Sequence, residues 1–320
     1  MHTATFAISM PLRFRGIQRR EGVLMRGPAG WAEFSPFLDY DDPECVPWLR
    51  SAMDSATRPW PEPRRATVPV NATVPAVDGA TARRIVERSG CATAKVKVAE
   101  PGQSLDDDLA RVAAVREALG ATGLVRVDAN GGWSLEEAEH AVALLDAEVG
   151  LEYVEQPCAT VEELAELRRR TDVPVAADES IRRADDPYRV RDAEAADVAV
   201  LKVQPLGGVH ACLRIAEEIG LPVVVSSAVE TSVGLAAGVA LAAALPELPH
   251  ACGLGTTSLL DADVVAEALV PVDGVLPVGR VEVDAAALDA VRPDATTDGA
   301  WWARLERVAA LVPEAQELLR

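Results

Sequence analysis

The sequence predicts an α/β protein: a (β/α) barrel with an N-terminal α+β capping domain that the C-terminal segment completes. Two observations predict it. Short β-branched runs alternate with amphipathic helices over 63–285, and the first 62 residues have a different texture. A third observation removes the main competitor. No GxGxxG follows the first run, so the open doubly wound sheet that binds dinucleotides lacks its signature.

Residues 1–62 mix alternating runs at 3–9 and 22–26 with a turn at Gly27-Pro28 and the aromatic-rich WAEFSPFLDY. The proline-rich RPWPEPRR at 58–65 then marks a boundary. Strand-like runs follow at 67–71, 94–98, 124–128, 151–155, 174–178, 198–202, 222–227 and 250–254. Between them lie helices with readable starts: Ser104 with Asp107, and the capping boxes Ser134–Glu137 and Thr160–Glu163. Leu105, Leu109, Val112 and Leu119 line one face of the first of these, and Gly120 can stop it. The spacing of roughly 25 residues per unit matches a compact barrel. Beyond 285 the chain leaves the barrel, and WWARLERVAALV at 301–312 is helical in period and able to pack back on the N-terminal segment.

The chain has 320 residues, 49% hydrophobic and 25% charged, so it can bury a large core. A formal charge of −19 argues against nucleic acid and against anionic membranes as partners. An anionic substrate has to be held locally, by a cation or a metal. Cys45, Cys91, Cys158, Cys212 and Cys252 share no metal or redox spacing, which fits a reduced, cytoplasmic setting. The N-terminus lacks the apolar core of a signal peptide. The most apolar stretch, 233–245, is too short to span a bilayer and reads as a buried helix.

The ends of the successive runs carry Asn71, Lys97, Asp128, Glu155, Asp178, Lys202, Ser227 and Gly253. Barrel active sites gather at the C-terminal ends of strands, so these residues share one mouth. Strands three, four and five each supply a carboxylate. Three converging carboxylates repel, so Asp128, Glu155 and Asp178 call for a cation. All-oxygen ligation selects Mg²⁺, with Mn²⁺ as the substitute, over Zn²⁺. Lys97 and Lys202 fall on strands two and six, opposite each other in a ring of eight, with Lys95 beside Lys97 and Asn130 beside Asp128. A lysine near a divalent cation has a lowered pKa and can serve as a neutral base. The chemistry this predicts is proton abstraction α to a carboxylate, with the enediolate stabilised by a metal and a lysine.

Taken singly, these residues have plain readings. Asp128 in VDAN fits a turn, Glu155-Gln156-Pro157 a strand end, and Asp178-Glu179 a helix cap. Five charged groups in the order K-D-E-D-K at five successive strand ends do not. The four histidines show no HExxH spacing, no nucleophile elbow or Walker loop occurs, and Cys158 reads as a buried inert thiol. The Gly253–Thr256 turn offers backbone N–H groups to an anion or is a plain tight turn.

At these residues the chain resembles the enolase superfamily, in its muconate-lactonising-enzyme-like branch. The motifs are AKVKV (94–98), RVDANGGW (126–133), EYVEQP (152–157), ADES (177–180), LKVQPLGG (201–208), SSAVETSVG (226–234) and GLGT (253–256). VPVNATVPA (68–76) resembles the first barrel strand and REGVLMRGPAGWAEFSPF (20–37) the capping domain. Within the branch the likeness is strongest to the compact actinobacterial dehydratases of menaquinone biosynthesis. It implies a lyase converting 2-succinyl-6-hydroxy-2,4-cyclohexadiene-1-carboxylate to o-succinylbenzoate. By resemblance Lys97 moves the proton, Lys202 stabilises the enediolate, Asp128, Glu155 and Asp178 carry Mg²⁺, and Arg126, Ser227 and Gly253 stand near the substrate. A monomer suits such compact forms.

Two other readings stay open. An N-succinylamino-acid racemase needs both lysines, and both are present. Racemase-capable relatives carry an arginine three residues after the second lysine, where this chain has Pro205. A dipeptide epimerase needs a dipeptide clamp, and 291–320 shows none. A non-catalytic metal-binding barrel would have lost a lysine or carboxylate, and none is missing.

Overall fold

The computed structural model describes residues 2–183 and 186–318. Met1, Ala184, Asp185, Leu319 and Arg320, which fall in the expected cap, barrel and C-terminal return, lie outside the described residues.

Strands β1 (His2–Phe14), β2 (Ile17–Gly27) and β3 (Gly30–Phe34) form an antiparallel sheet in that order. Both strands of the first hairpin run longer than the alternating pattern. Their two-residue turn, Arg15-Gly16, has both φ values positive (51° and 78°), matching the twist of a tight hairpin. Helix α1 (Val46–Thr57) packs on β3 through Trp48 and Leu49, beside the buried Val23, Met25 and Phe34.

The chain then enters the barrel, but one step later than the pattern predicts. Residues 67–69 form β4 (Thr67–Pro69), which pairs antiparallel with β12 (Val275–Pro277) near the end of the barrel segment. The first barrel strand is β5 (Ala72–Val74), followed by α2 (Gly79–Ser89). Pro69 lacks the N–H a parallel ladder needs, which suits it to this edge pairing. Next come β6 (Thr93–Lys97), α3 (Leu105–Leu119), β7 (Leu124–Asp128), α4 (Leu135–Val149), β8 (Leu151–Glu155) and α5 (Val161–Arg170). They are followed by β9 (Val175–Ala177), α6 (Glu179–Arg182), α7 (Arg189–Asp192), β10 (Val198–Leu201), α8 (Val209–Ile219), β11 (Val223–Val225) and α9 (Ser232–Ala244). The seven strands from β5 to β11 form one parallel sheet in chain order.

The expected eighth strand at 250–254 is reduced to single bridges, Ser226 with Gly253 and Val70 with Cys252. These bridges join the two edges of the sheet. Gly253 and Gly255 bring no side chains to pack, so a full strand is not sustained there. A 3₁₀ turn (Thr256–Leu259) stands where a barrel helix would follow.

Helix starts follow the expected chemistry. Ser104–Asp107, Ser134–Glu137 and Thr160–Glu163 all form reciprocal capping boxes, and α3 ends at Gly120 with φ +72°. All thirteen residues of α9 are buried, as its composition demands. All five cysteines are buried free thiols. No helix among the described residues is long and apolar enough to cross a membrane.

After α10 (Ala285–Ala290) come α11 (Ala295–Ala310) and α12 (Pro313–Leu318). Helix α11 lies against α1 and β1 and buries Trp301, Leu305 and Val308 in the core of the N-terminal sheet. The Trp301 ring meets Phe34 edge-on at 6.3 Å, and its indole N–H donates to Glu21 at 2.8 Å.

Candidate active site

The parallel register fixes the height of the charged residues. Lys97 on β6 is level with Asp128 on β7, which is level with Glu155 on β8. Because alternate residues share a face, Lys95 stands one layer below Lys97 on the same side. Asp178 follows β9 directly, and Lys202 follows β10. β6 is second and β10 sixth among eight positions, so the two lysines face each other across the mouth.

Each carboxylate meets a cation. Lys97 Nζ lies 2.5 Å from Asp128 Oδ2 and also donates to Asn130 Oδ1. Lys95 Nζ lies 2.6 Å from Glu155 Oε1 and 3.5 Å from Asp128 Oδ2. Lys202 donates to Asp178 Oδ2, and Arg182 Nε reaches Asp178 Oδ1 at 2.9 Å. Arg182 also pairs with Glu179 at 2.5 Å, and Asn130 Nδ2 donates to the same Glu179 oxygen at 3.1 Å.

The protonation tendencies follow from burial against pairing. Burial alone would raise Asp128 and Asp178, but Lys97 with Lys95, and Arg182 with Lys202, outweigh it and hold both below the carboxylate range. For Glu155 burial wins: Lys95 opposes it, while the charges of Asp128 and Asp178 add to the rise. Burial lowers Lys202 despite Asp178, the direction a base or a weakly hydrated ammonium requires. Burial also pushes Lys95 down, but Glu155 and Asp128 overcome it and keep Lys95 firmly charged.

These residues fit a divalent cation. Glu155 Oε2 and Glu179 Oε2 are buried with no hydrogen-bond partner, an arrangement that costs free energy unless something positive meets them. The donors are hard oxygens, suited to Mg²⁺ or Mn²⁺. With the lysines closed onto the carboxylates, no three His, Cys, Asp or Glu side chains among the described residues form a ready ligand group. A cation held by Asp128, Glu155 and Asp178 would take these carboxylates from their ammonium partners.

The space between the lysines is small. A cavity of about 30 Å³ is lined by Lys95, Lys97, Asp128, Asn130, Lys202, Ser227 and Gly253, and it is capped by Phe14, Arg15 and Phe37 from the N-terminal unit. Lys97 Nζ sits 5.3 Å from the centre of the Phe14 ring. Ser227 Oγ hydrogen-bonds Thr256 Oγ1 at 2.5 Å.

The structure thus brings together Lys95, Lys97, Asp128, Asn130, Glu155, Asp178, Lys202, Ser227 and Gly253. Arg126 goes elsewhere. It is level with Lys95 and Tyr153, fully buried, and donates to Glu152 and to the Ala251 carbonyl, each at 2.6 Å. His250 joins the same group through Glu152 at 2.7 Å. Asn71 precedes β5, and Thr73 lines the cavity in its place. Sequence reasoning missed Gln156, Arg182 and the cap residues. Arg182 was findable, one helical turn after Asp178. Phe14, Phe37 and Tyr40, whose hydroxyl takes a bond from Arg182, carry no signal without knowing how the cap docks.

The barrel with its carboxylate cluster between opposed lysines, beneath an antiparallel cap, and the family comparisons point to one class, the enolase superfamily. Residues 78–281 match the family described as "Enolase C-terminal domain-like", and 5–56 match "Enolase N-terminal domain-like". The o-succinylbenzoate synthase of Thermobifida fusca (strain YX) is 66% identical over 300 residues, covering 94% of this chain and 93% of that protein. The o-succinylbenzoate synthase of Mycolicibacterium smegmatis is 57% identical, covering 95% and 93%. The solved muconate lactonizing enzyme of Pseudomonas fluorescens shares the fold, with TM-score 0.76 at 23% identity over 91% of this chain and 98% of its own. The chain belongs to the o-succinylbenzoate synthase family of the enolase superfamily, and it is an enzyme of the hydro-lyase class acting on a small molecule. Members of the superfamily depend on a divalent metal ion.

Proposed function

We propose that this enzyme dehydrates 2-succinyl-6-hydroxy-2,4-cyclohexadiene-1-carboxylate to o-succinylbenzoate, a step of menaquinone biosynthesis in the cytoplasm. The observation that carries the reading is the placement of Lys97 and Lys202 on opposite sides of one carboxylate cluster, in a chain whose close relatives bear that name.

Asp128, Glu155 and Asp178 hold the cation, Mg²⁺ first and Mn²⁺ as a substitute. When bound, it supplies positive charge opposite the substrate carboxylate, where negative charge develops. Lys97, as the neutral amine, takes the C1 proton, and the electron pair moves into the carboxylate to give the enediolate. Lys202, as ammonium, faces that charge from the other side and transfers no proton. The pair then returns, the C6–O bond breaks, and the Lys97 ammonium protonates the departing hydroxyl as water on the same face. Aromatisation drives the second half, so the protein supplies position and charge. Lys95 keeps Glu155 in place, and Asn130 orients Lys97. Ser227 and Gly253 line the substrate wall, and Arg126 supports the barrel beneath them.

Charge balance supports an anionic substrate. In the closed site four carboxylates (Asp128, Glu155, Asp178, Glu179) meet four cations (Lys95, Lys97, Lys202, Arg182). A divalent cation adds two positive charges, one of which goes when Lys97 gives up its proton to become the base, so the loaded site stays positive.

Residues 63–285 provide the chemistry, and residues 1–62, with the segment from 286 onward packed back on them, form the cap, the active unit being a monomer. A cavity of about 30 Å³ is smaller than a substrate of this size needs, so lining side chains have to shift for substrate to enter.

The test is to supply Mg²⁺ and the cyclohexadiene substrate, and separately N-succinylamino acids in D₂O. Fast aromatic product supports the dehydratase. Rapid α-deuteration without dehydration would make the enzyme a racemase, the role the two lysines also permit.

A further inference from the structure

Val229 has φ +62°, a conformation that β-branched side chains avoid. It is also part of the reaction cavity, sharing that lining with Lys97, Lys202 and Ser227. Something has to hold the turn from Ser227 to Glu230 in this shape. Two of the restraints are its own: Ser227 Oγ accepts the Val229 N–H at 3.1 Å, and Glu230 Oε2 accepts the Ala228 N–H at 2.7 Å. The third comes from the cap. Arg20 on β2 donates through Nε to the Val229 carbonyl at 2.9 Å.

Arg20 is an unusual residue for this position. It is 2% exposed, yet no carboxylate oxygen of the described residues lies within ion-pair reach of it. Its remaining donors go to Ser35, to that residue's carbonyl and to its hydroxyl at 2.9 Å, and weakly to the Glu21 carbonyl. The charge is compensated at one remove, since Ser35 Oγ donates to Glu33 Oε1 at 2.6 Å. The guanidinium also lies over the Phe37 ring, 4.7 Å from its centre, but burying it with no carboxylate in direct contact is still expensive. Its rigid fork is the one feature that a cheaper residue could not supply, because it joins the Ser35 end of β3 to the Val229 turn.

The same junction reaches both ends of the site. Ser35 N–H donates to Gln204 Oε1 at 3.1 Å, two residues after Lys202. Glu33 Oε2 accepts from the N–H and hydroxyl of Thr231, at 3.1 and 2.5 Å, where α9 begins.

We propose that Arg20 is a positioning residue: it holds Val229 in the left-handed conformation and so sets the cap-side wall of the reaction cavity. The proposal rests on the dehydratase reading for its kinetic consequence only. A substrate fitted against that wall is misplaced when the turn relaxes.

The experiment is a cycle of Arg20→Met and Val229→Gly, since glycine adopts positive φ without help. With Val229 present, Arg20→Met lowers kcat/KM by about 30-fold, carried mainly by KM. In the Val229→Gly background the same change costs under about threefold, because the turn no longer needs the restraint. Equal losses in both backgrounds would overturn the proposal. Crystal structures give a readout that needs no substrate. In Arg20→Met, residue 229 moves to negative φ and its side chain leaves the cavity wall, and persistence near +60° would overturn the proposal equally. Should Arg20→Met fail to fold, Arg20→Lys and the double variant carry the same comparison. If the wild-type enzyme forms no aromatic product, the functional reading falls while the crystallographic comparison still decides the role of Arg20.

Discussion

The side-chain oxygen of Gln156 accepts the backbone N–H of Asp178 at 3.0 Å, so the residue after one carboxylate fixes the backbone of the next. Gln156 also accepts the Ser180 N–H at 3.1 Å and donates to the Ser180 hydroxyl at 2.8 Å. Its own φ is +39°, outside the extended range of the strand that it follows. Replacing it by leucine leaves two buried N–H groups unpaired and frees Asp178 to wander. The expected outcome is a 10–100-fold weaker Mg²⁺ half-saturation, with a smaller change in the rate at saturating metal. Rate titrations with Mg²⁺, paired with calorimetry of the metal alone, check it. An unchanged metal affinity would exclude the positioning role.

The two lysines predict different kinetic signatures. Lys97→Ala removes the proton carrier and lowers kcat by about 10²–10⁴-fold. Lys202→Ala removes only charge stabilisation and costs about 10²–10³-fold. With deuterium at C1, the primary isotope effect persists in Lys202→Ala, because the base is intact. Loss of that effect would mean that Lys202 shares the proton transfer.

Glu33 predicts a pH dependence of stability. Burial raises its carboxyl to about 7, against the pull of Arg20, from an ordinary value of 4.5. The folded state therefore binds its proton more tightly than the unfolded one. The stabilisation is complete below pH 4.5 and is lost as pH rises through about 7. A shift of this size corresponds to roughly 3 kcal/mol. In Glu33→Gln, the fall in Tm between these pH values is smaller than in the wild type. Parallel Tm profiles for the two proteins would contradict the assignment.

Trp301 ties the C-terminal helix to the cap sheet through Phe34 and Glu21. Trp301→Ala is expected to cost about 3–5 kcal/mol in urea unfolding, the range for emptying a large aromatic site. A loss below 1 kcal/mol would show that α11 contributes little to holding the cap.

Most of the site was legible because strand ends are a periodic address. Lys97, Asp128 and Glu155 could be placed from period and spacing alone, and the parallel register then set them level. The same logic misplaced Asn71. The run at 67–71 has strand composition, but 67–69 pairs with β12, and the barrel takes 72–74 instead. Arg126 was carried to the substrate by resemblance, and the alternation of the strand puts it a layer lower, on Glu152. The cap residues were illegible for another reason. Phe14, Arg20 and Phe37 reach the mouth through docking of one unit on another, and no local pattern encodes that contact.

The central claim is that Lys97 carries the proton in a metal-dependent dehydration. The most direct measurement is single-turnover formation of o-succinylbenzoate by the Mg²⁺-loaded wild type and Lys97→Ala, using substrate protonated or deuterated at C1. The account predicts a rapid aromatic product slowed by deuterium in the wild type, and at least about a hundredfold loss in the variant with its Mg²⁺ affinity retained. Equal turnover by the two proteins, or no aromatic product from the wild type, would contradict it.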